Sequence, residues 1–365
     1  MSKQLTALGL YLLPIVASLI ITAVLIIAVG ADPREVFEKV WEGAFRNSNA
    51  FAGVVNFWIP LALVSIGLVV TFTAGLWNIG VEGQMMMGAV FASWAAQYVV
   101  LPSPLLIGFE IFVAMLGGAL WALLVGILKT RLGVNEIFGG VALNALANVI
   151  AIYLVSGPWR EPGGSGQATL PFPTPALLPP MSPEFPVSLL ALIITGAASV
   201  AVMLALRGTR WGLNLKATGK NSRSALLLGV PTSQSALSAL MVCGMLAGIA
   251  GAYRVLFTFG SLRSLVSGGI GFLGLLVVLL VGVRALWTPF VALAFAVILG
   301  GTTRLRVALQ LDQSLAGVLQ GILVLLVLLS NGLRARLAER RARSEPAPLP
   351  APSFEPVRTE AAGHE

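Results

Sequence analysis

Charge is what this chain has least of. Only 10% of its 365 residues are Asp, Glu, Lys or Arg, while 57% are hydrophobic and the mean hydropathy is +0.91. A soluble domain usually carries about 25% charged residues, so this composition excludes an ordinary water-soluble core. Cysteine and histidine are scarcer still. Cys243 and His364 stand alone. That leaves nothing from which to build a His/Cys metal site, a His-based catalytic triad or an intramolecular disulfide. A phosphate-binding P-loop, G-x-x-x-x-G-K-[ST], is also missing. Gly219-Lys220 is followed by Asn221 and has no glycine at the required upstream position. The chain therefore reads as having no ATP site and no bound cofactor of its own. It is not expected to be an enzyme.

Long apolar runs are what it does have. A membrane-spanning helix needs about 20 such residues. Candidates fall at 7–29, 57–76, 79–100, 105–128, 136–156, 187–206, 235–258, 268–283, 286–303 and 313–331. The expected fold is all-α, a polytopic membrane protein of about ten transmembrane helices, with the eighth and ninth short or broken. The first run exceeds a signal-peptide core and lacks a clear A-x-A cleavage site, so it reads as a retained span. The 40 glycines suit close helix packing in lipid.

The net charge of +8 follows topology and does not point to nucleic acid. With the N-terminus inside, Lys3, Lys129, Arg131, the 207–223 cluster, Arg284 and the tail arginines 334–343 fall on the inner face. The mixed segment 32–46, Arg160, Arg254, Arg263, Arg304 and Arg306 fall outside. Short Lys/Arg-rich loops stay in the cytoplasm, so both termini are expected inside a bacterial-type inner membrane. The transmembrane domain covers 1–333. Within it, the Gly/Pro-rich stretch 157–186 is an irregular external loop and the basic stretch 207–232 a cytoplasmic one. Residues 334–365, rich in Pro, Ala and Glu, form a disordered cytoplasmic tail.

A few polar residues interrupt the apolar runs. Glu82 lies in GLWNIGVEGQMMMGA, residues 75–89, with Asn78 one turn before it and Gln84 after it. A carboxylate in a span usually faces protein interior or an aqueous path. Three readings stay open for Glu82: a charge favouring a helix N-terminus, a direct substrate contact, or a brace holding a break between spans two and three. Asn78 is expected to cap the third span. Asn135 and Glu136 open the fifth span, in which Asn144 and Asn148, four apart, share one face. They either bond between helices or line a pathway. Gly268, Gly269, Gly271 and Gly274 read as a loosened helix end or as close packing. Met85–Met87 reads as core or lipid-facing filler.

At this point a resemblance becomes visible. GLWNIGVEGQMMMGA closely resembles the signature of membrane permeases from ABC importers of the branched-chain amino acid/ribose permease superfamily. LKATGKNSRSALLLGV at 215–230 resembles that family's cytoplasmic loop. GFLGLLVVLLVG at 271–282 and GVLQGILVLLVLL at 317–329 resemble its last spans. The likeness runs in order over about 55–332. Where the ribose-type branch has a GIDLSVG-like string, this chain reads NIGVEGQ, which favours the branch for nucleosides and simple sugars.

The resemblance implies a permease subunit that works with a second permease subunit, two cytoplasmic ATPase domains that use the ATP, and an extracytoplasmic binding protein. Nucleosides are the expected substrate. A simple sugar or another small polar solute is the alternative, and an ion-coupled secondary transporter a more distant one. Asn78, Glu82, Gln84, Asn144 and Asn148 are then the pathway candidates. Arg210, Lys216, Gly219, Lys220, Asn221 and Gly229 are the candidates for ATPase coupling. A short helix is expected within about 218–229, bracketed by Gly219 and Gly229.

Overall fold

A computed structural model describes residue 17, residues 20–28, 30–163 and 166–308, and a few positions between 321 and 329. Among the described residues the chain is helical. The only β-type pairings are two isolated bridges, Arg160 with Thr169 and Ala168 with Arg263. Five helices are long and apolar enough to cross a membrane, and two further apolar helices are shorter. The first and last expected spans, 7–29 and 313–331, lie largely outside the described residues, as do the tail arginines.

The helices follow the chain in a simple order. α1 (Pro33–Phe45) is capped by Asp32, whose side chain accepts from the Arg34 N–H, with proline at its first position. α2 (Ser48–Thr73) is capped by Asn47 and carries Pro60 inside it. α3 (Val81–Tyr98) follows a break of seven residues, 74–80. α4 (Ser103–Leu132) ends on Gly133 in a left-handed conformation, and α5 (Glu136–Ser156) is capped by Asn135. α6 (Leu189–Gly208), α7 (Arg210–Lys220) and α8 (Ser222–Leu227) lead to α9 (Thr232–Tyr253). α9 runs on into one widened π turn, Arg254–Phe259. α10 (Ile270–Val281) and α11 (Thr288–Ala308) complete the described helices.

α3, α4 and α9 form the centre. They meet through small residues, as helices do where lipid offers no hydrophobic drive. A Cβ added to Gly118 of α4 would strike the Gly244 carbonyl of α9, and one on Gly88 of α3 would strike Gly248. α2 packs on α9 as well, with Gly67 against Cys243. Met85, Met86 and Met87 are buried here, so this run is core and does not face lipid. The mixed segment 32–46 is α1, which lies across α11 with Gly43 against Gly301.

The two ends of the bundle are distinct. At one end, the α2–α3 break touches α7, with Gly75 against Gly219, and Arg284 stands with Arg207 and Lys216. At the other, the 157–186 loop is irregular apart from a 3-10 turn, Thr174–Ala176. That loop is pinned to the chain after α9. The N–H groups of Thr169, Phe172 and Leu178 donate to the carbonyls of Leu262, Gly260 and Leu256 at 3.0, 2.8 and 3.1 Å. Arg207 and Lys216 of the 207–232 stretch thus stand with Arg284 at one end, and the 157–186 loop stands with Arg263 at the other.

A candidate solute pathway and its braces

The residues singled out within the spans separate into two groups. Asn78 and Gln84 pair with each other. The Asn78 Nδ2 donates to Gln84 Oε1 at 3.0 Å, and the Gln84 Nε2 donates back to Asn78 Oδ1 at 2.9 Å. Asn78 Nδ2 also lies 3.2 Å from the Cys243 sulfur. Both amides are fully buried. The expectation that Asn78 caps the third span is therefore corrected. The N-cap of α3 is Gly80, without a side-chain bond. The physical reason is mutual satisfaction: with Asn78 turned to the cap, the buried Gln84 amide would lose its partner at a cost of about 1–3 kcal/mol.

Glu82, Asn144 and Asn148 come together around a different space. They line a cavity of about 220 Å³ with Leu265, Ser267 and Phe272. Asn144 braces the α2–α3 break from α5. Its Oδ1 accepts from the Gly83 N–H at 2.7 Å and its Nδ2 donates to the Ile79 carbonyl at 2.9 Å. The brace expected of Glu82 is thus supplied by Asn144.

Glu82 instead holds α10. Its Oε1 accepts from the Gly271 N–H at 2.7 Å and the Phe272 N–H at 3.2 Å, and the Ser267 hydroxyl also reaches it. α10 begins on Gly269, in a left-handed conformation and without a side-chain cap of its own. The first N–H groups of a helix have no partner within the helix and carry partial positive charge. A carboxylate delivered from α3 satisfies both. Of the three readings for Glu82, the helix N-terminus is met twice: Glu82 lies in the first turn of α3 itself, and its carboxylate caps the start of α10.

Arg254, expected among the outer-loop charges, is buried, 7% exposed. It opens the π turn, donates through Nε to the Val266 carbonyl at 3.2 Å, and lies 4.5 Å over the Phe259 ring. Arg263 stands over the same ring at 4.8 Å. Only charge counting reached these arginines, and a charge pattern does not distinguish a solvated loop from one folded back on the protein. Glu110 was also missed. It interrupts the apolar run 105–128, and both its oxygens are buried with no hydrogen-bond partner among the described residues.

The 207–232 stretch forms an elbow of two helices. Arg210 starts α7 behind the Thr209 cap, whose hydroxyl accepts from the Gly212 N–H at 3.1 Å. Asn221 caps α8 by accepting from the Ser224 N–H at 3.0 Å. Gly229 ends α8 at φ +81°, and the Val230 N–H closes back on the Ala225 carbonyl at 3.0 Å. Gly219 does not bracket α8. It lies in the last turn of α7, where a side chain would strike the Thr73 carbonyl. Lys216 and Lys220 are exposed. So are three consecutive leucines, Leu226, Leu227 and Leu228, at 61%, 84% and 83%.

Comparison with known proteins gives this architecture its context. The family described as branched-chain amino acid transport system permease components matches residues 50–328. The chain belongs to that family. It is 27% identical to a glucose ABC transporter permease of Haloferax volcanii over 89% of this chain and 88% of that one. It is 24% identical to a guanosine ABC transporter permease of Bacillus subtilis over 92% and 97%. It is 26% identical to a nucleoside ABC transporter permease of Lactococcus lactis over 80% and 82%. No solved structure matches it. The permease is a transport component by family and a multi-pass helical membrane protein by fold.

Proposed function

We propose that the chain is the permease subunit of an ABC importer for nucleosides, fed by an extracytoplasmic binding protein and driven by two ATPase domains acting on a permease pair. The observation that carries this is the 254–269 segment. Its start walls an outer cavity, its end walls the Glu82–Asn144–Asn148 cavity, and the 157–186 loop is bonded along it. A binding protein docking on that loop would act directly on the segment between the two spaces. The permease itself performs no covalent step. Only a partner that binds two conformations unequally can shift their balance, and ATP on the partner subunits supplies that difference.

The α7–α8 elbow is the site for the ATPase. Leu226, Leu227 and Leu228 are exposed beside Lys220 and Arg223, at the end that carries the basic loops. Three neighbouring apolar side chains on a polar elbow suit a protein groove better than water. Leu227→Asp is expected to abolish ATP-driven uptake while the permease still inserts. Normal uptake and substrate-stimulated hydrolysis in that variant would reject the assignment.

Simple sugars are the second reading, favoured by the Haloferax relative. Reconstituting the complex with its binding protein, and measuring uptake of guanosine, uridine and glucose, separates the two. Uptake of glucose alone overturns the nucleoside reading.

A further inference from the structure

The outer cavity, about 650 Å³, is large enough for a whole small solute. No charged side chain is among the residues lining it. An amino-acid zwitterion or a phosphorylated solute would find no counter-charge there. A neutral polar solute loses nothing by that.

Its wall carries one oriented amide and one aromatic ring. Asn56 of α2 accepts through Oδ1 from the Tyr253 hydroxyl at 2.7 Å and donates through Nδ2 to the Pro186 carbonyl at 3.0 Å. A side-chain amide has two N–H groups and two acceptor lone pairs. These bonds fix its orientation and leave one donor and one acceptor of the same amide unused by them. Pro60, four residues on, has no N–H to give the Asn56 backbone carbonyl, so the α2 ladder lacks one bond at this level. Phe257 sits on the π turn, a distortion often found at functional sites. It lines the cavity, half-buried, and its ring stacks on Tyr253 at 5.2 Å and 13°. Tyr253 thus steadies both groups at once. An amide with a donor and an acceptor to offer suits the amide-like edge of a nucleobase, and an aromatic platform suits its face. Hydroxyls of Ser103, Thr174 and Thr258 on the same wall suit a sugar.

We infer that this outer cavity is a transit site for the base of a nucleoside, with Phe257 as stacking platform and Asn56 as reader of the base edge. This rests on the nucleoside reading above. The test uses the full reconstituted complex, with binding protein and ATPases, and measures initial uptake of guanosine and uridine. Phe257→Leu keeps apolar bulk and removes the ring. Its guanosine uptake is expected to fall about tenfold, the scale of one lost stacking contact. Uridine, with the smaller ring, falls less, so the guanosine-to-uridine ratio drops. Phe257→Tyr keeps the ring and stays within about twofold of the wild type. Asn56→Ala is expected to lower both about tenfold. Assembly of each variant with the ATPases, read by size-exclusion chromatography, excludes misfolding. If the wild type carries guanosine and Phe257→Leu leaves the ratio unchanged, this inference alone is overturned. Equal loss of both solutes in Phe257→Leu also overturns it. If the wild type carries glucose and no nucleoside, the nucleoside reading fails and this site falls with it.

Discussion

The α3–α4–α9 centre and the seat of α10 are held by opposite means. In the centre, backbone meets backbone. Gly88, Gly118, Gly244, Gly248 and Gly251 all stand where an added Cβ would strike main-chain atoms of a neighbouring helix. Contact of that kind has one arrangement, because nothing in it can rotate. At α10, by contrast, the helix start is held by a single carboxylate from α3. A side chain can turn and release what it holds. The segment that precedes α10 includes Leu265 at φ +64°, a conformation that costs an L-residue about 1–2 kcal/mol. The difference makes the glycine seam a frame of main-chain contact and leaves the seat of α10 to one side chain.

The largest effect tests the frame. Gly118→Leu places a side chain against the Gly244 carbonyl. Overpacking costs about 1–3 kcal/mol where side chains can yield, and more where backbone is the obstacle. No monodisperse protein is expected on size-exclusion chromatography in detergent. Gly196→Leu, in α6 with open space around it, is the matched control and is expected to keep its yield within about twofold. Recovery of folded Gly118→Leu protein at the control's level would remove the distinction.

The next effect tests the seat of α10. Glu82→Ala leaves the N–H groups of Gly271 and Phe272 buried without their acceptor, at about 2 kcal/mol. A tenfold or greater loss of uptake is expected. Glu82→Gln keeps an amide oxygen at the same reach and is expected to retain most uptake. Should Gln abolish uptake while assembly and coupled ATP hydrolysis stay intact, the charge itself acts, and direct solute or proton contact replaces the capping role.

The frame was legible in the sequence and the seat only in part. Apolar runs near 20 residues located α2, α4, α5, α6 and α9 because lipid demands that length. The four-residue spacing of Asn144 and Asn148 located one face of α5, and both line the same cavity. What the sequence hid were partners far along the chain. Glu82 bonds 189 residues away to Gly271, and Asn56 bonds 197 residues away to Tyr253. Local spacing carries no signal for such pairs. Asn78 looked like a cap because caps are local. Its real partner, Gln84, is also near, but the bond depends on the break folding back between them. Glu110 interrupts the run 105–128 visibly, but nothing local signals that both its oxygens are buried.

Smaller effects separate the two glycines first grouped as brackets of one coupling helix. Gly219 is constrained by space, since a side chain would strike Thr73. Gly219→Leu is expected to lift α7 off the α2–α3 break and uncouple hydrolysis from uptake while the protein still inserts. Gly229 is constrained only by conformation. It has no neighbour within 4 Å of an added Cβ, and its φ is +81°. Gly229→Ala therefore adds left-handed strain of about 1–2 kcal/mol, offset in part by the lower entropy of the unfolded chain, about 0.4–1 kcal/mol. A net loss of about 1 kcal/mol is expected, confined to α8 and read as faster amide exchange over Ser222–Leu227 with uptake within about twofold. If Gly229→Ala uncouples as strongly as Gly219→Leu, then α8 and its exact exit matter more than the contact of α7 with the break. The ATPase would then be sensing the leucine turn alone.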